Sequence, residues 1–140
     1  MAAIFAALVT IAVPLLSSTP SRVAAATQQL TADIERMRTD AVAESGHYLF
    51  RVGSTTTYAI HRMRRSLGRW QVEEEPVRTG ALPAGVAFAG VTEEDGGEVE
   101  LDGRGFLTPP DGAPVLALRD DETGERREVS VLPNGRVVPL

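Results

Sequence analysis

His47 and His61 are the only histidines in the sequence, and an ordinary imidazole titrates near neutral pH. Ser45 and Ser54 lie close to them along the chain. A histidine beside a serine is the beginning of a nucleophile–base pair. No spacing supplies the third, orienting group, so both histidines read as ordinary residues of neighbouring strands. The chain has no cysteine, which excludes thiol catalysis, disulfides and Cys-based zinc sites. Three acidic runs, Glu73-Glu74-Glu75, Glu93-Glu94-Asp95 and Asp120-Asp121-Glu122, offer oxygen ligands, but none has the spacing of a calcium loop. Gly103-Arg104-Gly105 is a turn fragment without the strand–helix setting that a phosphate loop needs. These residues predict no enzyme, no cofactor, no metal and no small-molecule substrate.

The remaining chemistry is cationic. Arg62, Arg64, Arg65 and Arg69 crowd together beside Trp70, with Tyr58 just before them. Arginines interleaved with aromatics hold single-stranded nucleic acid by charge and stacking. Glu73-Glu74-Glu75 follows directly and neutralises the patch if the chain folds back. The four arginines are therefore expected on a surface loop or in an inter-subunit salt-bridge region, as a candidate partner surface. All 14 basic residues are arginine, and the net charge is -5. Residues 1–70 carry eight Arg against four acids, and residues 71–140 six Arg against fifteen. So acidic a second half argues against general nucleic-acid binding.

The elements that must position these residues follow from periodicity. Residues 1–16 (MAAIFAALVTIAVPLL) carry no charge. They are fewer than the ~20 needed to span a bilayer, and Pro14 interrupts them. Ser17-Ser18-Thr19-Pro20-Ser21 is a polar break. From Arg22 to Glu44 there is neither Gly nor Pro, and Val23, Leu30, Ile34, Met37 and Ala41 fall on one helical face. Ser45-Gly46 ends that helix, with Gly46 as the candidate cap.

Beyond Gly46 the period becomes two. Residues 47–52 and 55–62 read as strands joined at Gly53-Ser54. Residues 69–73, 86–91, 98–101, 115–119 and 128–132 are further strands, and residues 76–85 read as a Pro/Gly-rich loop. Residues 120–125 (DDETGE) form a longer hairpin loop, and Asn134-Gly135 is the strongest hairpin signal in the chain. The fold class is α+β, a long N-terminal helix whose apolar stripe lies across an antiparallel sheet. The expected divisions are an apolar helix over 1–21, its amphipathic continuation over 22–46 and a β domain over 47–140.

This order of features resembles the type IV pilin-like proteins. Residues 30–46 resemble the helix end of the GspH/FimT minor pseudopilins. Arg69-Trp70 followed by Leu82-Pro83-Ala84-Gly85-Val86-Ala87-Phe88 resembles that family's Trp strand and the segment after it. Leu101-Asp102-Gly103-Arg104-Gly105 resembles its turn. Arg127-Glu128-Val129-Ser130-Val131 through Asn134-Gly135-Arg136-Val137 resembles its closing hairpin. The resemblance spans nearly the whole chain.

It implies a minor pilin or pseudopilin of a type II secretion or type IV pilus machine, which works by assembly. The apolar residues Ile4, Phe5, Leu8, Val9, Ile11, Val13, Pro14, Leu15 and Leu16 would hold the subunit in the bacterial inner membrane. They would then pack against other pilin or pseudopilin subunits, with the β domain in the periplasm. The family's processing signal is absent from the sequence, and aligning Pro14 with the Pro of pilin helices places that signal before Met1. Some FimT-like members are thought to contact DNA through a basic C-terminal tail, whereas here Arg136 is followed by Val137-Val138-Pro139-Leu140. Three rival expectations are a small secreted binding domain, its signal peptide cleaved near Ala26, a FimT-like DNA-uptake pilin, and a hydrolase using His47 or His61.

Overall fold

The structure, a computed structural model, describes residues 21–89, 97–112 and 114–140. The apolar positions from Ile4 to Leu16 and the acidic run at 93–95 lie outside the described residues.

Helix α1 runs over Arg22–Glu44. Its first turn is capped by Ser21, whose hydroxyl accepts the Ala24 N–H at 3.2 Å. Its buried stripe is Val23, Ala26, Leu30, Ile34, Met37 and Ala41. Burial of the four large apolar residues contributes about 1.5–3 kcal/mol each. Ala26 completes the helical spacing between Val23 and Leu30; its single methyl is too weak a signal to stand out in sequence. The helix ends one residue earlier than Gly46 implies. Ser45 takes the left-handed conformation at φ 50°, and the Gly46 N–H closes back on the Ala41 carbonyl at 3.0 Å.

Nine strands follow among the described residues: β1 His47–Val52, β2 Thr57–Ser66, β3 Arg69–Val72, β4 Arg78–Ala81, β5 Val86–Phe88, β6 Glu98–Leu101, β7 Val115–Asp120, β8 Arg126–Val131 and β9 Val137–Pro139. They form two antiparallel sheets rather than the single sheet expected. One has the order β3-β2-β1-β6, with β4 also pairing β2, and the other is β5-β7-β8-β9. The helix packs on β1 of the first sheet and on β5, β7, β8 and β9 of the second. The core fills the space between, with Phe50, Tyr58 and Ile60 from the first sheet and Leu116, Leu118 and Val131 from the second.

Two expected loops are strands. Residues 78–81, inside the expected 76–85 loop, pair with Thr57–Ile60 of β2 as β4. A sequence of Arg-Thr-Gly-Ala lacks an apolar alternation, and what makes it a strand is Gly80. A Cβ there would overlap the Tyr58 ring, so only glycine lets β4 lie against β2. The arginine-rich stretch is likewise not a loop, because β2 continues through Arg62, Arg64 and Arg65 to Ser66 and pairs with β3. The turn before β9 forms around Gly135 at φ 80°. The Gly135 N–H bonds the Leu132 carbonyl at 2.8 Å, a turn followed by a left-handed glycine rather than a two-residue loop.

Candidate assembly surface

Both histidines sit in strands, each engaged with a partner other than a serine. His61 Nδ1 lies 2.8 Å from the Glu73 carbonyl, which makes it the donor there. His47 stacks flat on Trp70, with ring centroids 3.6 Å apart. Burial lowers its pKa, opposed by Asp102 and reinforced by Arg65. Among the described residues neither imidazole meets a serine hydroxyl; Ser54 instead shares a hydrogen bond with Thr57. No group of three His, Asp or Glu among the described residues is placed to hold a metal ion.

The start of the helix is locked to a turn nearly a hundred residues away. Arg22 bonds Asp120 at 3.0 Å, Glu122 at 2.9 Å and the Ala84 carbonyl at 3.1 Å. Asp120 is buried. Its burial would raise the carboxyl pKa, but the N–H groups of Glu122 and Thr123 and the Arg22 guanidinium outweigh it and hold the pKa below the ordinary 3.8. This lock fixes where the chain enters the helix. Ala24 and Ala26, the cleavage site of the secreted alternative, lie inside the helix just beyond it. Cleavage there would remove both Arg22 and the buried Val23.

At the other end of the helix, the exposed Arg62 reaches across and bonds Glu44 at 3.0 Å. Arg64, Arg65 and Arg69 do not join it. β1 pairs with β2 only as far as His47 opposite Met63, so the cross-strand pairs Arg64–Gln71, Arg65–Trp70 and Ser66–Arg69 form a two-stranded arm beyond the sheet. Its tip is Leu67-Gly68, both left-handed, at φ 53° and 77°. Leu67 is 97% exposed and Trp70 39%. The structure thus separates Arg62 from the other three. Glu73, Glu74 and Glu75 line one shallow surface depression with Arg64, but none of them makes a contact ion pair with the arm among the described residues. Elsewhere most arginines are paired, including Arg51, Arg78, Arg104, Arg119, Arg126 and Arg127.

A third surface lies along the outer side of the helix. Ala24, Thr27, Gln28, Thr31 and Ala32 line a shallow groove with Val137 and Pro139 of β9. No described helix is long and apolar enough to cross a membrane.

Sequence reasoning missed two features of these surfaces. The Arg22–Asp120 pair joins residues 98 apart, and no local pattern announces it. The projecting arm had a signal in Leu67-Gly68, a glycine turn between two alternating runs.

No family model matches the chain, and no curated protein matches it in sequence. Solved structures do match. The type IV minor pilin FimU of Pseudomonas aeruginosa superposes with a TM-score of 0.65 at 17% identity, covering 84% of this chain and 87% of that one. A second crystal form of FimU gives 0.61 at 16% identity, covering 83% and 90%. The minor pseudopilin EpsH from the type 2 secretion system of Vibrio cholerae gives 0.60 at 14% identity, covering 86% and 97%. The fold of the described chain is therefore that of a GspH/FimT-like minor pseudopilin, one helix packed on curled antiparallel sheets.

Proposed function

We propose that the chain is a minor pilin-like subunit of a type IV pilus or a type II secretion pseudopilus, and that it acts by assembly. The observation that carries this is the locked helix entry. Arg22, Val23 and Ser21 hold the helix start at the edge of the domain, and the short polar break at 17–21 links it to the sixteen-residue apolar run. That run would extend from the helix entry as the assembly segment. Its residues from Ile4 to Leu16 would sit in the inner membrane before assembly and among neighbouring helices afterwards, since both are apolar surroundings. The exposed helix groove and the β2–β3 arm would then meet other subunits in the periplasm.

The test is complementation in the source organism. A deletion of the gene should abolish piliation or secretion of an exoprotein. The full chain should restore it, and a chain with Leu8→Arg and Ile11→Arg in the apolar run should not, despite wild-type levels of folded protein. Full restoration by that variant would overturn the proposal.

A further inference from the structure

Every sheet edge exposes backbone groups that another strand can pair with, and this chain closes most of its own. On β5, the Val86 and Phe88 N–H groups go to the Pro83 and Thr55 carbonyls at 3.1 and 2.7 Å. On β6, the Glu100 carbonyl accepts the Thr108 N–H at 2.9 Å. On β9, the Val137 N–H goes to the Glu35 carboxylate at 3.2 Å, and Pro139 has no N–H to offer. On β4, Gln29 reaches the Ala81 carbonyl at 3.4 Å.

The β3 edge differs. The Glu73 N–H bonds the Arg62 carbonyl at 3.0 Å. In an antiparallel ladder the backbone groups alternate in direction. Residues 69, 71 and 73 therefore face β2, while Trp70 and Val72 turn their N–H and C=O groups outward. No described group meets them. Along this edge the side chains are ordered as well. Arg69 stands at one end and Glu73 at the other, neither of them in an ion pair among the described residues. Trp70 and Val72 lie between them on the opposite face, Trp70 backed by His47.

We propose that the β3 edge takes an extended segment of a neighbouring polypeptide as an added antiparallel strand, one that carries a base and, four residues further on, an acid. Antiparallel addition sets that acid opposite Arg69 and that base opposite Glu73. Two apolar residues of the segment then cover Trp70 and Val72, and the outward backbone groups find partners. β3 itself has a base followed by an acid, so a second copy satisfies the same order. Pairing two β3 strands, however, requires a two-fold axis normal to the sheet. That axis reverses one helix against the other and sends the two N-terminal runs in opposite directions. Subunits of one fibre share a direction, so the segment belongs to another element of a neighbour; this choice alone rests on the proposed function.

The chain has no cysteine, which permits a clean exchange experiment. Gln71→Cys in the full chain, held in detergent, is equilibrated with two capped peptides of one composition, Lys-Val-Cys-Val-Glu and Glu-Val-Cys-Val-Lys. The central positions would be a non-hydrogen-bonded pair, close enough for a disulfide. The first peptide should be favoured about fivefold, the size of two cross-strand charge pairs. Adding Arg69→Glu and Glu73→Arg should reverse the preference. Val72→Pro removes an outward N–H while keeping an apolar side chain at an edge position, and should abolish the preference with circular dichroism showing a folded chain. Equal labelling by the two peptides, or a preference unmoved by the charge swap, overturns the proposal. So does a Gln71→Cys homodimer as the main product, or tighter quenching of Trp70, the only tryptophan, by a dT oligonucleotide than by the peptides. The exchange uses isolated protein. A failed complementation would therefore leave strand addition standing and remove only the preference for a neighbour over a second copy.

Discussion

Tyr58 shows how closely single residues are fitted in this chain. Its ring is buried between Phe50, at 5.1 Å between centroids, and the edge of Phe88 at 6.3 Å. Its hydroxyl donates to Asp33 and accepts from Gln29 of the helix. Burial raises the phenol pKa and the Asp33 bond adds to it, so the group stays protonated and keeps donating. Gly80 leaves the space this ring occupies. Gly80→Ala should cost about 1–3 kcal/mol, seen as a lower melting temperature, because the added methyl must displace Tyr58. Leu67 is the opposite case. It is exposed and left-handed, a conformation that costs a side chain such as leucine ~1–2 kcal/mol. Leu67→Asn should therefore raise the stability of the isolated chain by up to about 1 kcal/mol. A fall in melting temperature would mean that the leucine holds something within its own chain.

At the scale of elements, the helix and the β7–β8 turn stabilise each other through Arg22 and Asp120. Asp120 has a folded pKa below its ordinary 3.8. A depressed carboxyl contributes stability above its unfolded pKa and loses it as pH falls through the folded value. Denaturant unfolding between pH 6 and pH 2 should show stability falling below about pH 4. Asp120→Asn should flatten that fall while lowering stability at neutral pH. Ile34→Ala, at the middle of the helix face, should cost about 2–5 kcal/mol.

The helix face was legible because Val23, Leu30, Ile34, Met37 and Ala41 repeat at helical spacing, β8 because it alternates, and β1 and β7 because each is a short apolar run bounded by turn residues. β4 was not, since Arg-Thr-Gly-Ala has no apolar alternation and depends on what Gly80 lies against. The length of β2 was not either, because arginines are soluble enough for a loop and only pairing with β3 makes them a strand.

At the scale of the whole molecule, the division into two sheets is decided by which strands meet across the chain. β6 joins β1 and β5 joins β7, pairings between segments far apart in sequence. Local pattern carries no record of such choices, although the order of elements was enough to indicate the pilin-like class. The candidate surface was legible in part. The arginines pointed to a partner face, but Arg62 turned out to bind the helix end, and the open backbone of β3 has no sequence signature. The two ends of the molecule have different characters. The helix entry is locked by charge and leads to an uncharged run, whereas the far end presents Leu67 with Arg64, Arg65 and Arg69, which make no ion pair among the described residues.

If the uncharged run stays with the domain and carries it into a fibre, an intact-protein mass spectrum of the chain recovered from sheared pili or pseudopili should show residues 2–16 still attached. A mature protein found only free in the medium, beginning near residue 26, would contradict it.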